Sequence, residues 1–245
     1  MILLLTVQFL YGIAASVDFP ANLGIQRCNQ IPTPQFDQCF TKAVNEAIPQ
    51  LKDGYPRLGL PPLEPIKIAQ TKSRQDGFEI NLSDYELRGI GANLIVKRTE
   101  FDPKNKILNW YGTVSSLLIE GEYTIEGKIL TMAVNGGGKF KILAGNISSE
   151  LKTAFEVKNI KGVDHMVLTK TEYINRDIGS ASIFFENIFK GNKAISDSIN
   201  AVINDNWREM DALTNVFNKA LTVFVQNYMG KVYSKVPYDE LFPRM

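Results

Sequence analysis

Residues 193–228 read KAISDSINAVINDNWREMDALTNVFNKALTVFVQNY, and their apolar pattern changes partway along. Ile195, Ile199, Val202, Ile203, Trp207, Met210 and Leu213 recur at helical spacing as a narrow stripe. From Val216 the stripe widens through Phe217, Ala220, Leu221, Val223, Phe224 and Val225 until most of the circumference is apolar. The spacing predicts one long helix over 193–228, roughly 54 Å from end to end at 1.5 Å per residue. A helix apolar nearly all round must be surrounded by other apolar surface. The fold therefore turns on what surrounds it.

From Ile66 to about Ile174 the period is two. Phe78, Ile80 and Leu82 alternate with Glu79, Asn81 and Ser83. Ile119, Tyr123 and Ile125 share one face, and Glu120, Glu122, Thr124 and Glu126 the other. Phe140 and Ile142 alternate with lysines, and Phe155 and Val157 with Glu156 and Lys158. Strands with one dry and one charged face predict an antiparallel sheet wetted on its outside. Asp102-Pro103, Gly127 and Gly136-Gly137-Gly138 are turn or bulge signals between or within the strands. Upstream, Thr33-Pro34 opens a first helix, with Phe36, Cys39, Phe40, Ala43, Val44, Ala47, Ile48 and Leu51 on one face and Gly54 at its end. The proline-rich stretch from Tyr55 to Pro65 reads as an extended surface connector. The expected class is α+β: an antiparallel sheet wrapped around a long C-terminal helix, which either packs solid or leaves part of the tube unfilled, and an unfilled apolar tube suits a long, water-insoluble ligand.

Charge and rare residues exclude several functions. Lys and Arg total 27 against 26 Asp and Glu, so the chain lacks the basic footprint of a nucleic-acid binder. One His and two Cys do not suffice for a zinc site built mainly from those ligands. No G-x-S-x-G elbow occurs, and His165, next to Asp164, reads as a solvated residue of a strand or turn. Gly89-x-Gly91 completes no phosphate-binding fingerprint. The expectation is a non-enzyme without metal or cofactor.

Residues 1–16, MILLLTVQFLYGIAAS, carry no charge, and Ala14 and Ser16 stand at signal-peptidase spacing. The apolar run is too short to cross a bilayer. A signal peptide over 1–16 and one mature domain over 17–245 are expected, secreted and without stable membrane insertion. Cys28 and Cys39 then suggest a disulfide, with two buried free thiols as the alternative. Asn81-Leu82-Ser83 and Asn146-Ile147-Ser148 are N-glycosylation sequons.

Several stretches resemble the takeout and haemolymph juvenile-hormone-binding protein family of insects. They are Gly59-Leu60-Pro61-Pro62-Leu63-Glu64-Pro65, the strand motif from Gly121 to Leu130, and the glycine triplet at 136–138. Phe189 to Lys193, Asn204-Asp205-Asn206-Trp207 and the ending from Val236 to Pro243 complete the match. The resemblance implies a long C-terminal helix wrapped by a strongly curved antiparallel sheet, enclosing an apolar tunnel, and a secreted carrier of hydrophobic small molecules such as juvenile hormones or other lipids. Haemolymph hormone carriers of the family typically have a second disulfide; with two cysteines this chain is more similar to the takeout branch.

The candidate ligand-binding residues are aromatic and apolar side chains on the dry faces: Phe36, Phe40, Trp110, Tyr123, Ile125, Met132, Phe140, Phe155, Phe217 and Phe224. Tyr123 and Trp110 stand apart, because a buried OH or NH needs a partner and is suited to orienting a ligand's polar end. A receptor or carrier protein is a further expected partner, and a secreted protein-interaction module with a merely structural lipid is the alternative function.

Overall fold

The computed structural model describes residues 25–30, 34–75, 77–129 and 131–244. The signal peptide at 1–16, the mature start near Val17 and the Thr33 cap lie outside them. Helix α1 (Gln35–Gln50) follows Pro34 and turns Phe36, Ala43, Val44 and Ile48 inward, as the apolar spacing requires. Gly54, at φ +84°, reverses the chain just after it.

The next segment corrects the sequence reading. Instead of running extended over the surface, it forms a 3₁₀ turn (Pro56–Leu58) and a closed loop in which Tyr55 and Leu60 exchange backbone hydrogen bonds of 3.0 and 3.1 Å. Proline suits the first residue of such a turn, and the loop drives Leu58, Leu60 and Leu63 into the core. Glu64 follows, and its carboxylate accepts the N–H groups of Gly89 (2.9 Å) and Gly91 (3.1 Å) at the start of α2 (Ile90–Asn93). The two glycines thus cradle an anion supplied by the chain itself. Gly89 has φ +113°, and a Cβ there would lie 2.3 Å from the Ser116 carbonyl oxygen.

Six antiparallel strands form one sheet: β1 (Ile66–Gln75), β2 (Phe78–Arg88), β3 (Leu94–Asp102), β4 (Ile107–Ile129), β5 (Met132–Ile160) and β6 (Val163–Phe185). Their order is β1-β2-β4-β5-β6, with β3 beside the first half of β4 and β2 beside the second. Strands of 23 and 29 residues such as β4 and β5 coil through accumulated twist, and register shifts at Ser83/Glu86, Val96/Arg98, Ser148/Ser149 and Ala154/Phe155 add bends. The result is a curled half-barrel. The glycine triplet is not a turn: it lies within β5, where the backbone of 187–189 crosses so closely that a Cβ on Gly136 would sit 2.0 Å from the Asn187 oxygen.

The C-terminal segment is two helices rather than one. α3 (Lys193–Asp205) ends at Asn206, a 3₁₀ turn spans Trp207–Glu209, and α4 (Asp211–Lys235) follows, with a short α5 (Tyr238–Leu241). The Val202 carbonyl accepts both the Asn206 backbone N–H (3.1 Å) and its side-chain amide (2.8 Å), and beyond Asn206 the backbone closes 3₁₀ bonds, Glu209 to Asn206 and Met210 to Trp207, in place of α-helical ones. At 1.5 Å per residue α4 is about 38 Å long. Nor is it fully surrounded. Asn215, Lys219, Val223, Gln226 and Asn227 form a solvent-exposed stripe, because a half-barrel covers only the opposite side.

Helix side chains also close the sheet's edges. Asn200 and Asn204 on α3 each accept and donate one hydrogen bond with the β6 backbone, at Phe185 and Ile183, over 2.6–2.9 Å. On α1, Asn45 does the same for Val96, while Thr41 and Asp37 accept the N–H groups of Thr99 and Phe101 on β3. Edge groups that would otherwise pair with another chain are thereby satisfied within the fold.

A candidate ligand cavity between the helices and the sheet

The apolar face of α1, the connector leucines, the concave side of the sheet and the C-terminal half of α4 meet around a cavity of about 280 Å³. Phe40, Ala43, Val44, Ala47 and Ile48 come from α1, and Leu58, Leu60 and Leu63 from the connector. Trp110, Gly112 and Val114 come from β4, Leu151 from β5, Tyr173 from β6, and Leu221, Phe224, Tyr228, Met229 and Tyr233 from α4. No Asp, Glu, Lys, Arg or His is among the described lining residues. The void arises because three curved or cylindrical surfaces meet there, and mid-sized aliphatic side chains do not fill the space between them.

The segment 25–30 completes one wall. Cys28 and Cys39 form a disulfide with Cα atoms 5.8 Å apart, so the disulfide reading holds. Gln30 binds the C-terminal backbone, its amide N–H reaching the Pro243 oxygen and its side chain the Phe242 oxygen, each at 2.7 Å. Arg27 pairs with Glu240 at 3.2 Å.

Three of the ten candidate residues, Phe40, Trp110 and Phe224, line this cavity. Phe36 and Phe155 lie just behind Phe40 in an aromatic cluster with Phe101 and Phe242; the ring centroids of Phe36 and Phe101 are 4.9 Å apart. Tyr123, Ile125, Phe140 and Phe217 pack in the other half of the core. Met132 borders a shallow surface hollow with Phe189, Ile195 and Ile199. The three connector leucines, Tyr173, Tyr228, Met229 and Tyr233 are lining residues that sequence reasoning did not single out. The leucines were hidden by their prolines, and the rest have no local signal separating lining from packing.

The polar groups sort differently from the sequence expectation. Tyr123 donates its hydroxyl to the Glu186 backbone oxygen at 2.7 Å, away from the cavity. Trp110 Nε1 and the Tyr228 hydroxyl are sealed from solvent and have no hydrogen-bond partner among the described residues. Burial pushes the pKa of Tyr173, Tyr228 and Tyr233 above the ordinary phenol value, so these lining hydroxyls stay neutral. His165 is buried, not solvated, because the hairpin turn falls earlier, at Lys161 and Gly162, and leaves it within β6. Asn146 is exposed within β5 with left-handed backbone, whereas Asn81 sits half-buried in mid-strand with its Oδ1 covered.

An uncharged cavity walled by a curled sheet and an amphipathic helix has the shape and lining of a site for a hydrophobic molecule. The model of the haemolymph juvenile hormone binding protein family matches residues 2–243, and the chain belongs to that family. It is 24% identical over 247 residues to the circadian clock-controlled protein daywake of Drosophila melanogaster, covering 94% of this chain and 90% of that one. It is 25% identical over 226 residues to the Schistocerca gregaria protein named "Putative beta-carotene-binding protein", covering 90% and 88%. The crystal structure of Epiphyas postvittana Takeout 1 superposes with a TM-score of 0.77 at 24% identity, covering 89% of this chain and all of the other, and shares the fold.

Proposed function

We propose that this protein is a secreted carrier that holds a juvenile-hormone-like isoprenoid, a fatty acid or another lipid in the cavity between α1, α4 and the sheet. The observation that carries the reading is the cavity itself, about 280 Å³ and free of charged side chains among the described lining residues. The family's description and the locust relative's name point the same way, toward hydrophobic ligands. A ligand burying about 400 Å² of apolar surface gains roughly 10 kcal/mol before the costs of association, leaving affinity on the order of micromolar to nanomolar.

Residues 1–16 act as a cleaved signal peptide and 17–245 as the mature carrier domain, and the Cys28–Cys39 disulfide suits an oxidising compartment. Asn146 is the better placed glycan acceptor, and a receptor or carrier protein takes the loaded form. No catalytic residue is assigned; hydrolysis of ester substrates should be the same with and without His165→Ala.

Native mass spectrometry of the secreted protein, followed by organic extraction, tests the proposal. A stoichiometric lipid that exchanges on dilution and competition supports a carrier. A lipid that never exchanges points instead to a protein-interaction module with a structural lipid. An empty protein that refuses fluorescent fatty-acid and juvenile-hormone probes refutes both. Loss of a glycan mass on Asn146→Gln checks the acceptor assignment.

A further inference from the structure

A layer of aromatic rings crosses the half-barrel just beyond the cavity. Gly121 on β4 is paired with Phe140 on β5, and Phe140 with Phe185 on β6. On the other side of β4 the register shifts between Ser83 and Glu86, so that Asp84 and Tyr85 together stand opposite Gly121. Asp84 is left-handed, with φ +45°. Strict alternation would put Leu82 and Tyr85, three residues apart, on opposite faces; the bulge turns both inward, and both are fully buried. Gly121 makes the room, since a Cβ there would lie 2.3 Å from the Tyr85 Cβ. The Tyr85 ring is 6.2 Å from that of Phe140 and meets Phe217 of α4 edge-on at 6.2 Å, and Phe140 is 6.1 Å from Phe185. From β1, Thr71 Oγ1 holds the Tyr85 hydroxyl at 2.7 Å. The rings therefore span the sheet from β2 to β6 and reach the helix.

Two lining residues fix where this layer lies. Leu221 lines the cavity, and Phe217 is one helical turn before it, about 6 Å along α4. Ile66 also lines it, and its partner Leu87 is two residues from Tyr85, about 7 Å along β2. None of the four ring residues of the layer belongs to the lining. At the other end, behind Phe40, the space is taken by the cluster of Phe36, Phe101, Phe155 and Phe242. Between the two sets of rings lie about 280 Å³. An apolar cavity of about 150 Å³ takes up benzene, about 25 Å³ per carbon, so this one holds about eleven carbons.

Resting on the carrier reading, we infer that Phe217 and Tyr85 form a stop that sets the length of ligand the protein accepts, a chain of about eleven carbons, and that a lipid extended along the whole tube is excluded. Phe217 is the specificity-determining residue, and Tyr85, turned inward by the bulge at Asp84, is the positioning residue that backs it.

Straight-chain alcohols from 1-hexanol to 1-hexadecanol test the stop by displacing N-phenyl-1-naphthylamine from the delipidated mature protein. Affinity should rise about fourfold per added carbon as far as a break at about eleven carbons, and should not rise beyond it. Phe217→Leu takes three carbons from the stop and should move the break to about fourteen, so that 1-tetradecanol binds the variant about tenfold more tightly than the parent. Ile203→Ala takes as many carbons from the same buried cluster outside the layer. It should lower the thermal midpoint and leave the break in place. An unbroken rise to 1-hexadecanol in the parent overturns the inference, as does a break that Phe217→Leu leaves unmoved or that Ile203→Ala moves as far. Each of these results leaves the carrier reading standing. Failure of the naphthylamine and of every alcohol to bind overturns the carrier reading itself.

Discussion

Ala43→Leu distinguishes an open cavity from an ordinary core by the sign of its effect. Ala43 is 4% exposed and forms part of the cavity wall from the middle of α1. Leucine adds three carbons, worth roughly 2.4 kcal/mol at about 0.8 kcal/mol per buried methylene. Lost rotamer freedom returns about 0.5–1 kcal/mol of that, and leucine and alanine have nearly equal helix propensity. The ligand-free protein should therefore gain about 1.5 kcal/mol, a rise of about 3–6 °C in midpoint for a chain of this size. The same substitution in a filled core costs about 1–3 kcal/mol through overpacking. Ligand binding should move the opposite way: the leucine takes space from the ligand, so the preferred acyl-chain length shortens by about three carbons. Thermal denaturation of delipidated protein and a chain-length series in probe competition measure the two effects. A lower midpoint with an unchanged chain-length preference would refute the reasoning, since Ala43 would then face packed side chains.

Replacing both cysteines by serine should cost about 2–3 kcal/mol through loss of the short loop constraint. It should also speed ligand exchange, measured by stopped-flow displacement, because the wall segment 25–30 loses its tie to α1. Asn200→Ala leaves two edge groups of β6 unpaired and should destabilise by about 2–4 kcal/mol in urea, while the exposed Asn227→Ala changes stability by less than about 0.5 kcal/mol. The Glu150 carboxyl is pushed up by burial, but Arg176, with help from Lys152 and Tyr111, outweighs this and holds it below the usual carboxylate range. A depressed acid stabilises the fold above its unfolded pKa of about 4.3, and that contribution is lost as pH falls through the lower folded value. Stability measured from pH 6 down to pH 3 should thus decline less steeply in Glu150→Gln.

Periodicity is a local property, and what depends on it was legible in the sequence. The inward face of α1, the alternating strands, the antiparallel pairing and the helical character of the C-terminal segment all follow from which side chains shun water at spacings of 3.6 or 2. The disulfide was legible too, since two cysteines in a chain of this kind have little else to do. The break at Asn206 was less so: the stripe runs through Trp207 and Met210 in helical phase, and a switch from α-helical to 3₁₀ bonding over 207–209 is something hydropathy does not register. The edge-closing asparagines looked like ordinary polar positions, because their partners lie on other elements, as Asn45 does for Val96.

The cavity depended wholly on tertiary structure. Phe40, Trp110 and Phe224 have the same chemical character as Phe36, Phe140 and Phe217, and nothing in their neighbours along the chain separates wall from filling. Whether an inward side chain meets another atom or empty space is set by how far the sheet curls and where α1 and α4 cross it. The sequence by itself determined which surfaces avoid water; only their packing geometry decided where those surfaces fail to meet and leave a cavity between them.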